Sequence, residues 1–82
     1  MDKFEKRCKA LRQGLEVYVG YDDYERIYKY VKGNVVEFKG ADGTTGTLDY
    51  NRSEDAKEAL FHGWDITRED YENGIYRKPD NR

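Results

Sequence analysis

The chain of 82 residues contains one cysteine, one histidine and one proline. A single cysteine excludes an internal disulfide and any zinc site built from several cysteines, and it favours a reducing compartment. The first residues are charged and are followed by no long apolar run. The sequence therefore predicts neither a signal peptide nor a transmembrane helix, and we expect a cytoplasmic protein.

Strongly hydrophobic residues are also scarce, because Leu, Ile, Val and Phe together occupy 15 of the 82 positions. So low a value accompanies disorder when the net charge is high, but here the formal net charge is −2. Eight tyrosines and one tryptophan can complete a small core. We expect a single compact domain over residues 1–78 and a frayed tail over residues 79–82.

An amphipathic helix is predicted at the start of the chain. Asp2 and Glu5 have the spacing of a capping box, and Gly14 stands where a left-handed residue can end the helix. The sequence therefore predicts a helix over about residues 3–13. Its apolar stripe, predicted to face the core, consists of Phe4, Cys8, Leu11 and Leu15.

Residues 15–50 have the pattern of an antiparallel β-meander, and the turns set its register. A two-residue loop at Gly33-Asn34 pairs Tyr30 with Glu37 and Tyr28 with Lys39 on one face. It pairs Val31 with Val36 on the other face.

The two other turns of the meander are assigned as three-residue loops. One spans residues 22–24 and pairs Tyr18 with Tyr28. The other spans residues 41–43, has Gly43 left-handed, and places Leu48 opposite Val36.

A helix over residues 23–32 is an alternative, because Tyr24, Ile27, Tyr28 and Val31 also have helical spacing. The many strand formers and the Gly33-Asn34 turn favour a strand. Further along, Ser53 and Thr67 are predicted to cap two short helices that end at Gly63 and Gly74. The predicted fold is α+β, with an N-terminal helix, a meander of three to four strands, and both short helices on one face of the sheet.

No motif in the chain points to catalysis or to a cofactor. The glycines between Gly40 and Gly46 lack the Gly-Lys-Ser/Thr of a phosphate-binding loop and lie between strands. Cys8 lies on an apolar stripe and His62 at a helix end, which favours structural roles for both. We expect a protein that is not an enzyme and that needs no metal or cofactor.

The tyrosines suggest a binding surface instead. In the meander register above, Tyr18, Tyr28 and Tyr30 share the uncovered face of the sheet, with Glu37 and Lys39 beside them. Exposed tyrosines with a mixed-charge rim are typical of protein interfaces. These five residues are the predicted partner-binding site.

The predicted function is binding, with regulation or inhibition, of another protein. By analogy of class alone, such small chains resemble phage or bacterial accessory proteins. The alternative is single-stranded nucleic-acid binding by tyrosine stacking, supported by the basic helix. Its candidate contacts are Lys3, Lys6, Arg7 and Arg12, and we expect a monomer or weak homodimer.

Overall fold

The computed structural model describes residues 2–79 and consists of an antiparallel sheet with three α-helices. The predicted α+β class is confirmed. Of the predicted tail over residues 79–82, Pro79 alone belongs to the described part. In chain order the elements are α1 (Lys3–Arg12), β1 (Val17–Tyr21), β2 (Arg26–Tyr30), β3 (Val35–Gly40), β4 (Thr45–Asp49), a 3-10 helix (Tyr50–Arg52), α2 (Glu54–His62), β5 (Trp64–Asp65) and α3 (Arg68–Glu72).

The helix α1 begins at the predicted capping box. The Asp2 carboxylate accepts a hydrogen bond from the Glu5 amide at 2.8 Å, and the Asp2 amide donates to the Glu5 carboxylate at 3.3 Å. Each bond satisfies an amide that the first helical turn leaves without a partner. Gly14, just after the helix, has a φ of 84°, as expected for a left-handed terminating residue.

The sheet has five strands in the order β4-β3-β2-β1-β5, one more than predicted. The fifth strand forms because Trp64 and Asp65 pair with Gly20 and Val19 of β1. The indole of Trp64 lies directly over Gly20, where an added Cβ would be 2.5 Å from the ring. Glycine at position 20 therefore makes room for the tryptophan.

Residues 26–30 form the strand β2, so the alternative of a helix over residues 23–32 is wrong. β2 is hydrogen-bonded between β1 and β3. A central position in the sheet gives every backbone group of the strand a partner on one side or the other, and this outweighs the helical spacing of the apolar residues.

The turn between β3 and β4 is the predicted three-residue loop. Leu48 lies opposite Val36, Gly46 lies opposite Phe38, and Gly43 has a φ of 91°. The predicted register of this hairpin is confirmed.

The registers predicted for the other two hairpins are wrong by one residue. Tyr30 pairs with Val36 and Tyr28 with Phe38, so Tyr30 is not opposite Glu37 and Tyr28 is not opposite Lys39. In the first hairpin, Tyr28 lies opposite Val19, and Tyr18 lies opposite Lys29. Both loops are one residue longer than predicted.

Side chains alternate between the two faces of a strand, so a shift of one residue turns every side chain over. The observed registers gather apolar residues of β1, β2 and β3 on the face that α1 and α2 cover. Tyr28 and Tyr30 therefore enter the core, at 0% and 2% exposure. The core cluster comprises Val17, Val19, Tyr28, Tyr30, Val36, Ala56, Ala59 and Leu60.

The predicted placement of both short helices on one face of the sheet is also wrong. The α2 helix lies over the core face, where the Tyr30 hydroxyl donates to the Ala56 carbonyl oxygen at 2.6 Å. The α3 helix lies over the opposite face, where the Tyr71 ring packs 5.5 Å from the ring of Tyr18. Tyr71 is 3% exposed, so this tyrosine of a five-residue helix is buried against the second face.

We expect Tyr30→Phe to lower the free energy of unfolding by about 1–2 kcal/mol, because it removes the buried hydrogen bond between the Tyr30 hydroxyl and the Ala56 carbonyl. The matched control is Tyr24→Phe, since Tyr24 is 54% exposed. Its effect should stay within about 0.5 kcal/mol. Urea unfolding measures both, and equal effects of the two substitutions would contradict the burial of Tyr30.

Candidate functional site

The five residues of the predicted tyrosine site do not form one exposed surface. Tyr28 and Tyr30 belong to the core, whereas Tyr18, Glu37 and Lys39 lie on the opposite face of the sheet. An interface anchor must be accessible before the partner arrives, and a tyrosine with no exposed area is not. The proposed arrangement of a common tyrosine face is therefore wrong, and the one-residue register shift is the physical reason.

The three members on the second face are engaged by α3 of the same chain. The Lys39 ammonium group donates to the Tyr71 carbonyl oxygen at 2.8 Å and lies 4.5 Å from the centre of the Tyr71 ring. The Tyr71 hydroxyl donates to Glu37 at 3.4 Å, and the Tyr71 ring packs 5.5 Å from the ring of Tyr18. These contacts hold α3 on the sheet.

The basic residues of α1 divide into two groups. Lys3, Lys6 and Arg12 are exposed, as the nucleic-acid alternative requires. Arg7 is 5% exposed, so the prediction that it contacts nucleic acid does not fit its position. Its guanidinium group instead forms hydrogen bonds with three residues of the same chain.

The Arg7 guanidinium group connects α1 to the end of α2 and to β5. It donates to the Leu60 carbonyl at 2.8 Å, to the Gly63 carbonyl at 2.9 Å and to the Asp65 carboxylate at 2.6 Å. The last carbonyls of a helix have no partner within the helix, and a cation placed there satisfies both the hydrogen bonds and the helix dipole.

A groove runs along the apolar stripe of α1, which the sequence predicted to be covered. Phe4, Cys8 and Leu11 are each only half-buried. One part of the groove, about 290 Å³, lies between α1, the β2–β3 loop and the 3-10 helix. A second part, about 440 Å³, lies beside the first turns of α1 and shares Cys8 and Arg12 with the first. We call the two together the α1 groove.

The floor of the α1 groove is apolar and aromatic. Leu11, Tyr30, Val36, Tyr50 and Leu60 line its deeper part. The rings of Tyr30 and Tyr50 meet edge to face, with centroids 6.4 Å apart. Tyrosine thus does contribute to a surface hollow, through Tyr50 and Tyr30, of which Tyr30 alone belongs to the predicted set.

An exposed aromatic pair extends the apolar surface at the N-terminal end of α1. The Phe61 ring lies 5.1 Å from that of Phe4 and 4.7 Å from that of His62. Phe61 is 52% exposed. Sequence reasoning missed this residue, because its neighbours Ala56, Ala59 and Leu60 define the buried face of α2 and Phe61 lies outside that face. A phenylalanine outside the buried face of a predicted helix indicates an exposed aromatic ring, and this was the signal in the sequence.

The charges beside the groove are mostly positive. Lys9 and Arg12 line the part near the first turns of α1, and Glu5 is the acidic residue among its lining side chains. Within residues 2–79, no three His, Cys, Asp or Glu side chains are grouped so that they could hold a metal ion. No helix in the same range is long and apolar enough to cross a membrane.

Removing the Arg7 guanidinium group should be costly. We expect Arg7→Met to lower the free energy of unfolding by about 2–4 kcal/mol, because each buried carbonyl left unsatisfied costs about 1–3 kcal/mol. Lys6→Met is the matched control on the neighbouring, exposed position of α1, and its effect should be within about 0.5 kcal/mol. Chemical denaturation of both variants is the measurement. A stable Arg7→Met protein would show that the guanidinium contacts carry little energy.

Alkaline pH should destabilise the fold through its buried phenols. Burial raises the pKa of Tyr28 to about 12, and the nearby Asp55 carboxylate adds to the shift. The unfolded chain, with tyrosine pKa values near about 10, releases these protons first. It therefore binds fewer protons than the folded chain above this pH, and the free energy of unfolding falls as pH rises.

This alkaline fall should be shallower in Tyr28→Phe than in the parent chain, because the variant lacks one phenol with a raised pKa. Urea unfolding at a series of pH values between about 9 and 11 measures both slopes. Identical slopes would show that Tyr28 titrates as it does in the unfolded chain.

Comparisons of the chain with protein-family models, with curated proteins and with solved structures give no significant match.

Proposed function

We propose that this protein binds another protein without catalysing a reaction, and that the α1 groove is the binding site. The observation that carries the proposal is the partly exposed stripe of Phe4, Cys8 and Leu11, which lines a groove with an apolar floor. Regulation or inhibition of the bound protein is the mode of action that we propose for a chain of this size.

The shape and chemistry of the groove support a peptide segment as its ligand. Amphipathic helices bind proteins by placing an apolar face in a hydrophobic groove. The groove provides an apolar floor, and the Phe4–Phe61 pair provides a protruding aromatic edge at one end. Covering these partly exposed side chains with a partner is favourable by about 25 cal/mol for each Å² of apolar surface removed from water.

The charges beside the groove favour an acidic segment. Two basic residues, Lys9 and Arg12, line the part near the first turns of α1, together with one acidic residue, Glu5. Lys3 and Lys6 are exposed on the same helix. Complementary charge at the rim of an interface mainly accelerates association and excludes partners of the wrong sign. We therefore propose a partner segment with apolar residues on one side and Asp or Glu on its flanks.

We further propose that the protein acts in the cytoplasm, which its single free cysteine favours. The assignment to phage or bacterial accessory proteins remains an analogy of class, based on small size and the lack of a recognisable catalytic motif.

Single-stranded nucleic acid is the second candidate ligand. A groove of about 450 Å³ brings Lys3 and Lys6 together with Tyr18, which is a basic and aromatic combination. Glu16 and Asp65 line the same groove and repel phosphate. Tyr28 and Tyr30, the other stacking residues of this hypothesis, are buried. The balance therefore favours the protein ligand.

Two variants test the α1 groove while leaving the core intact. Phe61→Ala removes an aromatic ring that is 52% exposed, and Tyr24→Ala removes one that is 54% exposed away from the groove. Arg12→Glu reverses a charge in the groove, and Lys57→Glu reverses an exposed charge on α2. Each groove variant thus has a control of the same chemistry.

The parent chain and the four variants are immobilised and exposed to cytosolic extract, with and without nuclease treatment. We expect one protein to be retained by the parent chain and by both controls, and to be lost with Phe61→Ala and Arg12→Glu. Titration calorimetry with that protein should then show affinities weakened about tenfold or more, corresponding to about 1.4 kcal/mol or more for an interface anchor.

If the groove variants and their controls lose retention of the partner protein equally, the α1 groove is refuted as the binding site. Retention that disappears on nuclease treatment, and that falls steeply as salt is raised, would establish the nucleic-acid alternative instead.

A further inference from the structure

The strand β4 lies at one edge of the sheet. It is the terminal strand in the order β4-β3-β2-β1-β5. The Gly40 amide donates to the Thr44 carbonyl at 2.7 Å, and the Tyr50 amide donates to the Asn34 carbonyl at 2.7 Å. These bonds fix which residues of the strand face β3, because the direction of backbone groups alternates along an antiparallel pair.

By this alternation, the backbone groups of Gly46 and Leu48 point toward β3. Those of Thr45, Thr47 and Asp49 point outward, away from the sheet. Five consecutive residues of β4 pair regularly with β3, so the strand contains no bulge. Within residues 2–79, three residues of β4 therefore present amide and carbonyl groups that no neighbouring strand pairs, along one regular edge.

Sheet edges in soluble proteins are usually protected by lysine, proline, bulges or a covering element. The sequence of β4, Thr-Gly-Thr-Leu-Asp, has none of these devices in the strand itself. Its one charge, Asp49, is at the end. Threonine favours extended backbone. An edge with unpaired backbone groups and without such protection is a template for another strand.

We infer that β4 pairs with β4 of a second copy of this chain, in antiparallel orientation about a two-fold axis at Thr47. Outward-facing residues can pair only with outward-facing residues. Placing the axis at Thr47 pairs all three of them, with Thr47 opposite the partner's Thr47 and Thr45 opposite the partner's Asp49. A shift of two residues in either direction leaves one of the three unpaired.

The same register also matches the apolar side chains on the core face. Gly46 then lies opposite the partner's Leu48. The Phe38 ring lies over Gly46, where an added Cβ would be 2.9 Å from the ring. The partner's Leu48 therefore meets the Phe38 ring across the glycine, and the two-fold axis repeats this contact. Phe38 and Leu48 are both half-buried, which leaves apolar surface for the second copy to cover.

No like charges face each other directly in this register, because Asp49 lies opposite a threonine and Thr47 lies opposite its own copy.

Five residues on each side bury less surface than a stable complex, which buries about 1,200–2,000 Å². The dimer should therefore be weak and should form at high protein concentration. The continuous sheet would contain ten strands, five from each copy.

Sedimentation of the full chain over a concentration series tests the dimer, with Thr47→Pro and Thr47→Val as a matched pair. The Thr47 amide faces outward, so proline there removes no hydrogen bond to β3 and is tolerated on an edge strand. We expect dimerisation of the parent and of Thr47→Val. Thr47→Pro should remain monomeric and retain a cooperative melting transition.

A cysteine cross-link tests the register independently of proline and its effect on folding. In a Cys8→Ala background, Thr47→Cys places the two sulfur-bearing residues directly opposite, with Cα atoms about 5.5 Å apart, within the range of a disulfide. Thr45→Cys on the same face is the control, because its two copies lie four residues apart along the strand, about 14 Å.

Under mild oxidation, covalent dimer should form at least about tenfold faster with Thr47→Cys than with Thr45→Cys, because only the first pair lies within disulfide reach. Equal cross-linking of the two variants would overturn the register. A parent chain that stays monomeric at every concentration would overturn the dimer. The same result would overturn it if β4 instead pairs with an extended segment of another protein. Neither result tests the α1 groove, because Thr45 and Thr47 are not among the residues that line it.

Discussion

The buried guanidinium group of Arg7 joins the two helices of the core face. It lies on α1, yet two of its three partners are the backbone carbonyls of Leu60 and Gly63 at the end of α2, and the third is Asp65 in β5. A helix end buried without partners is unfavourable, so α2 can end against the sheet only because α1 supplies a donor there. The short strand β5 begins directly after this end, and Asp65 binds both β1 and Arg7. The positions of α1, α2 and β5 are therefore mutually dependent.

In this core, tyrosine fills the space that Leu and Ile fill in cores with more aliphatic residues. Tyr28 and Tyr30 fill the space between the sheet and α2, and Tyr71 is buried against the other face. A tyrosine brings a large apolar ring but also a hydroxyl group that needs a partner when buried. Tyr30 finds one in the Ala56 carbonyl, and Tyr71 in Glu37. At Tyr30 and Tyr71, packing and hydrogen bonding are therefore linked.

The surfaces left for binding follow from what this core covers. Because α3 covers the second face of the sheet, that face offers no open aromatic patch. The surfaces that we propose for binding lie along α1, where the stripe of Phe4, Cys8 and Leu11 is partly exposed, and at the β4 edge. These two surfaces differ in chemistry. The first presents side chains above a hollow, and the second presents backbone groups in a row.

Local signals in the sequence determined the capping box at Asp2, the strand character of residues 26–30 and the β3–β4 register, because each depends on neighbouring residues or on a turn containing Gly43. The two other registers were decided by the tertiary structure. A loop can gain one residue at little local cost, and the burial of Tyr28 and Tyr30 against α2 selects the longer loops. The charge of Arg7 was visible in the sequence, but its partners lie more than fifty residues away in the chain. Only the packed structure could distinguish it from the exposed lysines of the same helix.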